Sequence, residues 1–177
     1  MNKYITIKSF RNAVEAHDTT ALDKTVTKDF KIKNIASMDG IFTFVITTNA
    51  MDRSLDIVDP NGLDITNYLN NPVVLKIHDD KSSPIGKCTG LTRTEDGWLA
   101  SVEFVPSDYP VVGQDGEFCR RALVDGYIRA VSIGFRALDY TINDAGGMTI
   151  TDSELLEFSI VPIPCNPEAL LVPIIPV

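Results

Sequence analysis

Three polar residues interrupt three apolar, strand-like runs, and their types are those of nucleophilic acyl transfer. Ser132 lies in Arg129-Ala-Val-Ser-Ile-Gly-Phe135, His78 in Pro72-Val-Val-Leu-Lys-Ile-His-Asp79 and Glu157 in Leu155-Leu-Glu-Phe-Ser-Ile-Val161. A serine hydroxyl is a weak nucleophile until a base takes its proton. Imidazole, with an ordinary pKa of ~6.5, takes and returns a proton near neutrality. A carboxylate on the second ring nitrogen fixes the tautomer and steadies the imidazolium. Such a grouping is defined by geometry, not by chain order.

Each residue also has a plainer reading. Alternation places Ala130, Ser132 and Gly134 on one face of a strand and Val131, Ile133 and Phe135 on the other. Two small flanking side chains leave the room above the hydroxyl that a substrate carbonyl needs. They would equally let another element pack close. His78 and His17 are the two histidines, and His17 falls in an N-terminal segment of weak periodicity. His78 sits where an apolar strand meets a polar loop, a common place for catalytic groups and also for a histidine bonded to a local carbonyl. Alternation predicts Leu156, Phe158 and Ile160 as a core face, with Leu155, Glu157 and Ser159 opposite. A carboxylate among large apolar residues is costly to bury unless paired. An imidazole would pair it, and so would Arg136; solvent would serve if it faces outward. Glu154, out of register, is the weaker candidate for the acid. Backbone N–H groups near Ser132–Gly134, or main chain held by Arg129 or Arg136, are the candidates for stabilising an oxyanion.

The elements that must position these residues read mainly as strands. Met38-Asp-Gly40 predicts a hairpin turn between Lys31–Ser37 and Ile41–Thr48, and Glu95-Asp-Gly97 another between Ile85–Arg93 and Gly97–Val105. Ile128–Thr141 and Met148–Ile160 are strands joined at Asn143-Asp-Ala-Gly-Gly147. Asp64–Leu69 reads as a short helix stopping before Asn71-Pro72, and Glu117–Val124 as the best helix, closed by Gly126. Residues 1–29 read as an arm with a short helix around Phe10–Leu22, residues 30–170 as the main domain, and 171–177 as an extended proline-rich tail. Short strands between turns, with one or two helices, predict a mixed, mainly β fold: a closed or nearly closed antiparallel barrel with flanking helices.

Composition narrows the chemistry. The 177 residues carry a formal charge of −8, and basic residues group only at Lys28, Lys31 and Lys33, so nucleic acid is not an expected partner. The three cysteines, Cys88, Cys119 and Cys165, lack zinc-ligand spacing, and no metal or other cofactor is expected. Their odd number predicts a reducing, cytosolic setting. No apolar run is long enough to span a bilayer, and Met1-Asn-Lys-Tyr-Ile-Thr-Ile7 lacks a signal-peptide core, so no membrane is expected. Gly-x-Ser-x-Gly, His-Glu-x-x-His and phosphate-binding glycine loops are absent.

Four ordered blocks resemble the prohead maturation proteases of tailed bacteriophages: Asn71-Pro-Val-Val-Leu-Lys-Ile-His-Asp79, Pro84-Ile-Gly-Lys87, Gly126-Tyr-Ile-Arg-Ala-Val-Ser-Ile-Gly-Phe135 and Leu155-Leu-Glu-Phe-Ser-Ile-Val-Pro-Ile-Pro-Cys-Asn-Pro167. The resemblance runs from about Thr43 to Leu170, and Asp52-Arg-Ser-Leu-Asp-Ile-Val-Asp59 also fits. It implies a serine endopeptidase that cuts scaffold and capsid-protein extensions, and itself, inside the assembling prohead in the host cytoplasm. It also implies a fold akin to herpesvirus assemblin, with Ser132 as nucleophile, His78 as base and Glu157 as acid. Ser107-Asp-Tyr-Pro-Val-Val-Gly-Gln-Asp-Gly116 departs from the family in being rich in helix breakers. Cys165 stands where the family often has alanine. The apolar tail Leu170–Val177 suits packing against the barrel or against a partner such as a second copy in a homo-oligomer. Two other functions compete: a non-enzymatic β-barrel assembly module of the phage head, and a hydrolase using Cys165 with His78.

Overall fold

The computed structural model describes residues 4–6, 25–27 and 40–173. The chain divides into two units, Met1–Lys33 and Asn34–Val177. In the first, β1 (Tyr4–Thr6) and β2 (Thr25–Thr27) pair in parallel. The expected arm helix around Phe10–Leu22 and the strand Lys31–Ser37 lie outside the described residues.

The second unit is built on one eight-stranded sheet. Its strands are β3 (Ile41–Thr48), β4 (Ile57–Val58), β5 (Leu63–Asp64), β6 (Val73–Lys76), β7 (Gly86–Arg93), β8 (Gly97–Phe104), β9 (Ala130–Ile142) and β10 (Met148–Val161). The two predicted hairpins that lie wholly within the described residues form as β7–β8 and β9–β10, both antiparallel. The order runs β3-β8-β7-β6-β10, and β10 is the spine. One edge of β10 carries β9; along the other, β4, β5 and β6 pair in succession, all in parallel. The sheet is therefore mixed rather than wholly antiparallel.

It is also open rather than closed. β3 and β9 form no ladder with each other. Between them, Leu171 makes one bridge to Phe44 and Leu170 one to Ala130. Three prolines, Pro162, Pro164 and Pro167, precede this segment, and a residue without an N–H cannot continue a ladder. Leu171 is buried against the core, so the first residues of the expected tail are part of the fold.

Phe42, Phe44, Val74, Val102, Val131, Phe158 and Ile160 fill the core, all on inward-facing strand positions. Each large side chain buried this way contributes about 1.5–3 kcal/mol. Among the described residues there is one α-helix, α1 (Gly113–Val124), where flanking helices were expected. It starts four residues before the predicted Glu117, and its glycines let that first turn dock closely. A Cβ on Gly116 would stand 2.5 Å from Val105 Cγ2. Gly126, at φ +80°, ends it in the left-handed region as expected. The short helix expected at Asp64–Leu69 is instead β5 followed by a single 3-10 turn, Tyr68–Asn70.

Candidate active site

Between Leu155 and Glu157 the β9–β10 register shifts, with Leu155 opposite Phe135 and Glu157 opposite Gly134. This bulge at Leu156 corrects the expected alternation. Leu155 enters the core and Leu156 is half-exposed, while Phe158 and Ile160 face inward as expected. Paired residues share a face, so Ser132 with Ser159 and Gly134 with Glu157 occupy the outer face together.

His78 reaches that face from β6. The strand ends at Lys76, Ile77 N–H donates to Ile160 O, and Asp79 N–H donates to Lys76 O. Within this turn Ile77 and His78 sit at φ +51° and +58°. A β-branched residue there is an outlier, and each such position costs about 1–3 kcal/mol unless its surroundings hold it. The polar loop beyond is tied down by Ser82 Oγ and Lys81 N–H, both donating to Asp79. These bonds, the hydroxyl's first, hold the Asp79 carboxyl below the usual carboxylate range.

The result is a short contact, 2.6 Å, between His78 Nδ1 and Glu157 Oε1. The Glu157 side chain is 14% exposed and that of His78 is 42% exposed, so a sheltered carboxylate grips an imidazole that solvent still reaches. Ser159 Oγ donates to the other carboxylate oxygen, Oε2, at 2.7 Å, and accepts the His78 backbone N–H at 2.9 Å. Gly134 leaves the space this needs, since a Cβ there would lie 2.1 Å from Glu157 Oε1. Tyr68 lies beneath, tilted against Phe158, its hydroxyl donating to Val73 O. Burial first, then the charges of Cys88 and Glu157, push that hydroxyl above the usual phenol range, so it stays a neutral donor.

Of the residues singled out from sequence, the structure joins His78 to Glu157 and sets Ser132 diagonally across the strand pair from Glu157. No hydrogen bond links Ser132 to His78 among the described residues. Arg136 is engaged elsewhere, with Nη2 2.6 Å from Glu154 Oε2. Arg129 keeps a buried Nε without a partner among the described residues. Cys165 is apart from His78; its thiol donates to Asp52 Oδ2 at 2.9 Å and lies 3.6 Å from Ser54 Oγ. Ser159 was not singled out: a serine two residues past a glutamate carries no signal until the bulge and the His78 turn bring three strands together. Among the described residues, no three His, Cys, Asp or Glu side chains are grouped to hold a metal ion.

A second feature adjoins Ser132. Val131 N–H donates to Ala169 O and Leu171 N–H to Arg129 O, so the 169–171 segment covers the start of the outer edge of β9. The chain then turns away, held by Asn166, whose main-chain carbonyl accepts Ala169 N–H and whose Oδ1 accepts Glu168 N–H. Beyond Val131 that edge has no backbone partner among the described residues. It borders a cavity of about 280 Å³ lined by Ser132, Ile133, Phe135, Val58, Asp52 and Asp56 among others.

The outer face of the mixed sheet thus carries a carboxylate-held imidazole and, on the adjoining strand, a serine, the residue types that nucleophilic hydrolases use. Comparison with known proteins narrows the class: residues 24–173 match the family of caudovirus prohead serine proteases, and the chain belongs to it. It is 34% identical over 127 residues to the prohead protease of Escherichia phage T5, covering 69% of this chain and 57% of that protein. It is also 27% identical over 143 residues to the capsid polyprotein of Pseudomonas phage PAJU2, covering 80% of this chain and 21% of that one. The chain thus spans little more than half of the first relative and about a fifth of the second.

Proposed function

We propose that this protein is a serine endopeptidase that processes capsid and scaffold proteins during prohead maturation, acting inside the assembling prohead. Membership of the prohead protease family supports the setting. The observation that carries the chemistry is the His78 Nδ1–Glu157 Oε1 contact on the face that also presents Ser132. In this reading Nε2 of His78 takes the proton of Ser132 as its oxygen attacks the scissile carbonyl. Glu157 steadies the imidazolium, the proton passes to the leaving amine, and water releases the acyl-enzyme. Catalytic hydrogen bonds commonly tighten only when substrate is seated, which suits a Ser132–His78 pair not yet in contact. Backbone N–H groups around Ser132–Gly134 are the proposed donors to a developing oxyanion, with Arg129 as an auxiliary.

The edge of β9 beyond Val131, without a backbone partner among the described residues, suits an extended substrate that adds as a strand beside Ser132, one side chain entering the neighbouring cavity. This favours unfolded segments, such as capsid-protein extensions, over folded domains. The likeness to herpesvirus assemblin belongs to the same proposal. Co-expression with the cognate capsid protein tests it by intact mass. Discrete cleavage products with wild type and none with Ser132→Ala support a protease. Intact capsid protein with both, when each is folded, turns the reading to an assembly module.

A further inference from the structure

The structure assigns to Ser159 a positioning role for the proposed protease: its hydroxyl locks Glu157 and the His78 turn into one unit. The inference rests on the triad reading above but concerns a residue outside it. Ser159 is fully buried, yet its hydroxyl is satisfied on both sides. It donates to Glu157 Oε2 at 2.7 Å and accepts the backbone N–H of His78 at 2.9 Å. Glu157 Oε1 holds His78 Nδ1 at 2.6 Å, so one ring of contacts runs from the His78 main chain through Ser159 and Glu157 to the His78 side chain.

Each link answers a physical need. A glutamate has three rotatable side-chain bonds, and one contact to an imidazole leaves the carboxylate free to swing toward water. A second donor on the far oxygen removes that freedom. The turn before the loop holds Ile77 and His78 at positive φ, which persists only when other contacts over-determine it. The Ile77 N–H to Ile160 O bond fixes one residue of the turn and the Ser159 hydroxyl fixes the next. Ser159 also lies directly opposite Ser132 in the β9–β10 register, so the residue that holds Glu157 is the backbone neighbour of the proposed nucleophile. An alanine would take this partner from the partly buried His78 N–H and leave Glu157 with one contact fewer.

The test compares wild type, Ser159→Ala, Ser159→Thr and Ser132→Ala. It follows the rate of labelling by a small fluorophosphonate, the low-field proton resonance of the His78 ring N–H, and thermal unfolding. Ser159→Ala is expected to slow labelling by about ten- to a hundredfold, the range of a lost hydrogen bond to a charged group. It should also broaden or abolish the ring N–H resonance. Ser159→Thr, which keeps the hydroxyl, should restore both. A merely structural role would lower thermal stability without moving either the resonance or the labelling rate of the folded fraction. That result overturns the inference, as would a folded Ser159→Ala with wild-type labelling. If Ser159→Ala does not fold, Ser159→Cys, close in size but a poor donor, carries the same comparison. Failure of the protease reading itself looks different: wild type would not be labelled, or Ser132→Ala would be labelled equally.

Discussion

Two glutamates three residues apart on β10 have been put to opposite uses. Glu154 and Glu157 have side chains of similar exposure, 12% and 14%, and each receives two partners. Glu154 takes the Arg136 guanidinium at 2.6 Å and the Asn67 amide at 2.7 Å, a permanently charged donor and a neutral one. Glu157 takes the His78 imidazole at 2.6 Å and the Ser159 hydroxyl at 2.7 Å. The distances match; the chemistry does not. A guanidinium never gives up its proton, so the Glu154 site is a fixed clasp between β9, β10 and the 3-10 turn region. An imidazole can take a proton and pass it on, which a guanidinium cannot, so the Glu157 site suits proton transfer. The Leu156 bulge separates the two, turning one carboxylate toward Gly134 and the other toward Arg136.

The largest expected difference comes from the charge on each carboxylate. Glu157→Gln should lower processing about 10²–10⁴-fold with little change in melting temperature, because the amide keeps the shape but not the charge. Glu154→Gln should leave the activity of folded protein within a fewfold. Paired turnover and melting measurements check both, and equal losses of activity would erase the distinction. Gly134→Ala should come next. Its Cβ would collide with Glu157 Oε1 and force the carboxylate off the imidazole, with an expected ten- to hundredfold loss of labelling by a serine-directed probe. A crystal structure of that variant with Glu157 unmoved would contradict this. On the other clasp, Arg136→Ala should cost under about 1 kcal/mol in urea unfolding, since Arg136 is 65% exposed and exposed pairs contribute little.

The smallest effect concerns a buried ionisable group that makes no side-chain hydrogen bond among the described residues. Burial pushes the Cys119 thiol on α1 up to about 11 from an ordinary 9.0. The unfolded chain then ionises first, so stability is complete below pH 9 and is lost as pH rises toward 11. Wild type should therefore lose more melting temperature than Cys119→Ala between pH 8 and about 10.5. Equal losses would show that the thiol is not protected by the fold.

Much of this was legible in the sequence, and what was missed has a common cause. Ser132, His78 and Glu157 stand out because polar residues in apolar strand runs demand a reason. β7–β8 and β9–β10 were readable because Glu95-Asp-Gly97 and Asn143–Gly147 are local turn signals. Ser159, the Leu156 bulge and the parallel pairing of β4, β5 and β6 with β10 were not. Each depends on residues up to about a hundred positions apart in the chain, and a period of two along one strand carries no record of what lies across it. The open sheet was missed likewise, since only the pairing of Leu170 and Leu171 shows how β3 and β9 are related.

Everything proposed for this site turns on Ser132 being a nucleophile activated by a histidine that Glu157 holds. The most direct measurement is intact mass and peptide mapping after fluorophosphonate treatment of wild type, Ser132→Ala and His78→Ala. One adduct is expected, on Ser132, absent from Ser132→Ala and formed far more slowly in His78→Ala. No adduct on folded wild type, or an adduct on Ser159 or Cys165 instead, would contradict it.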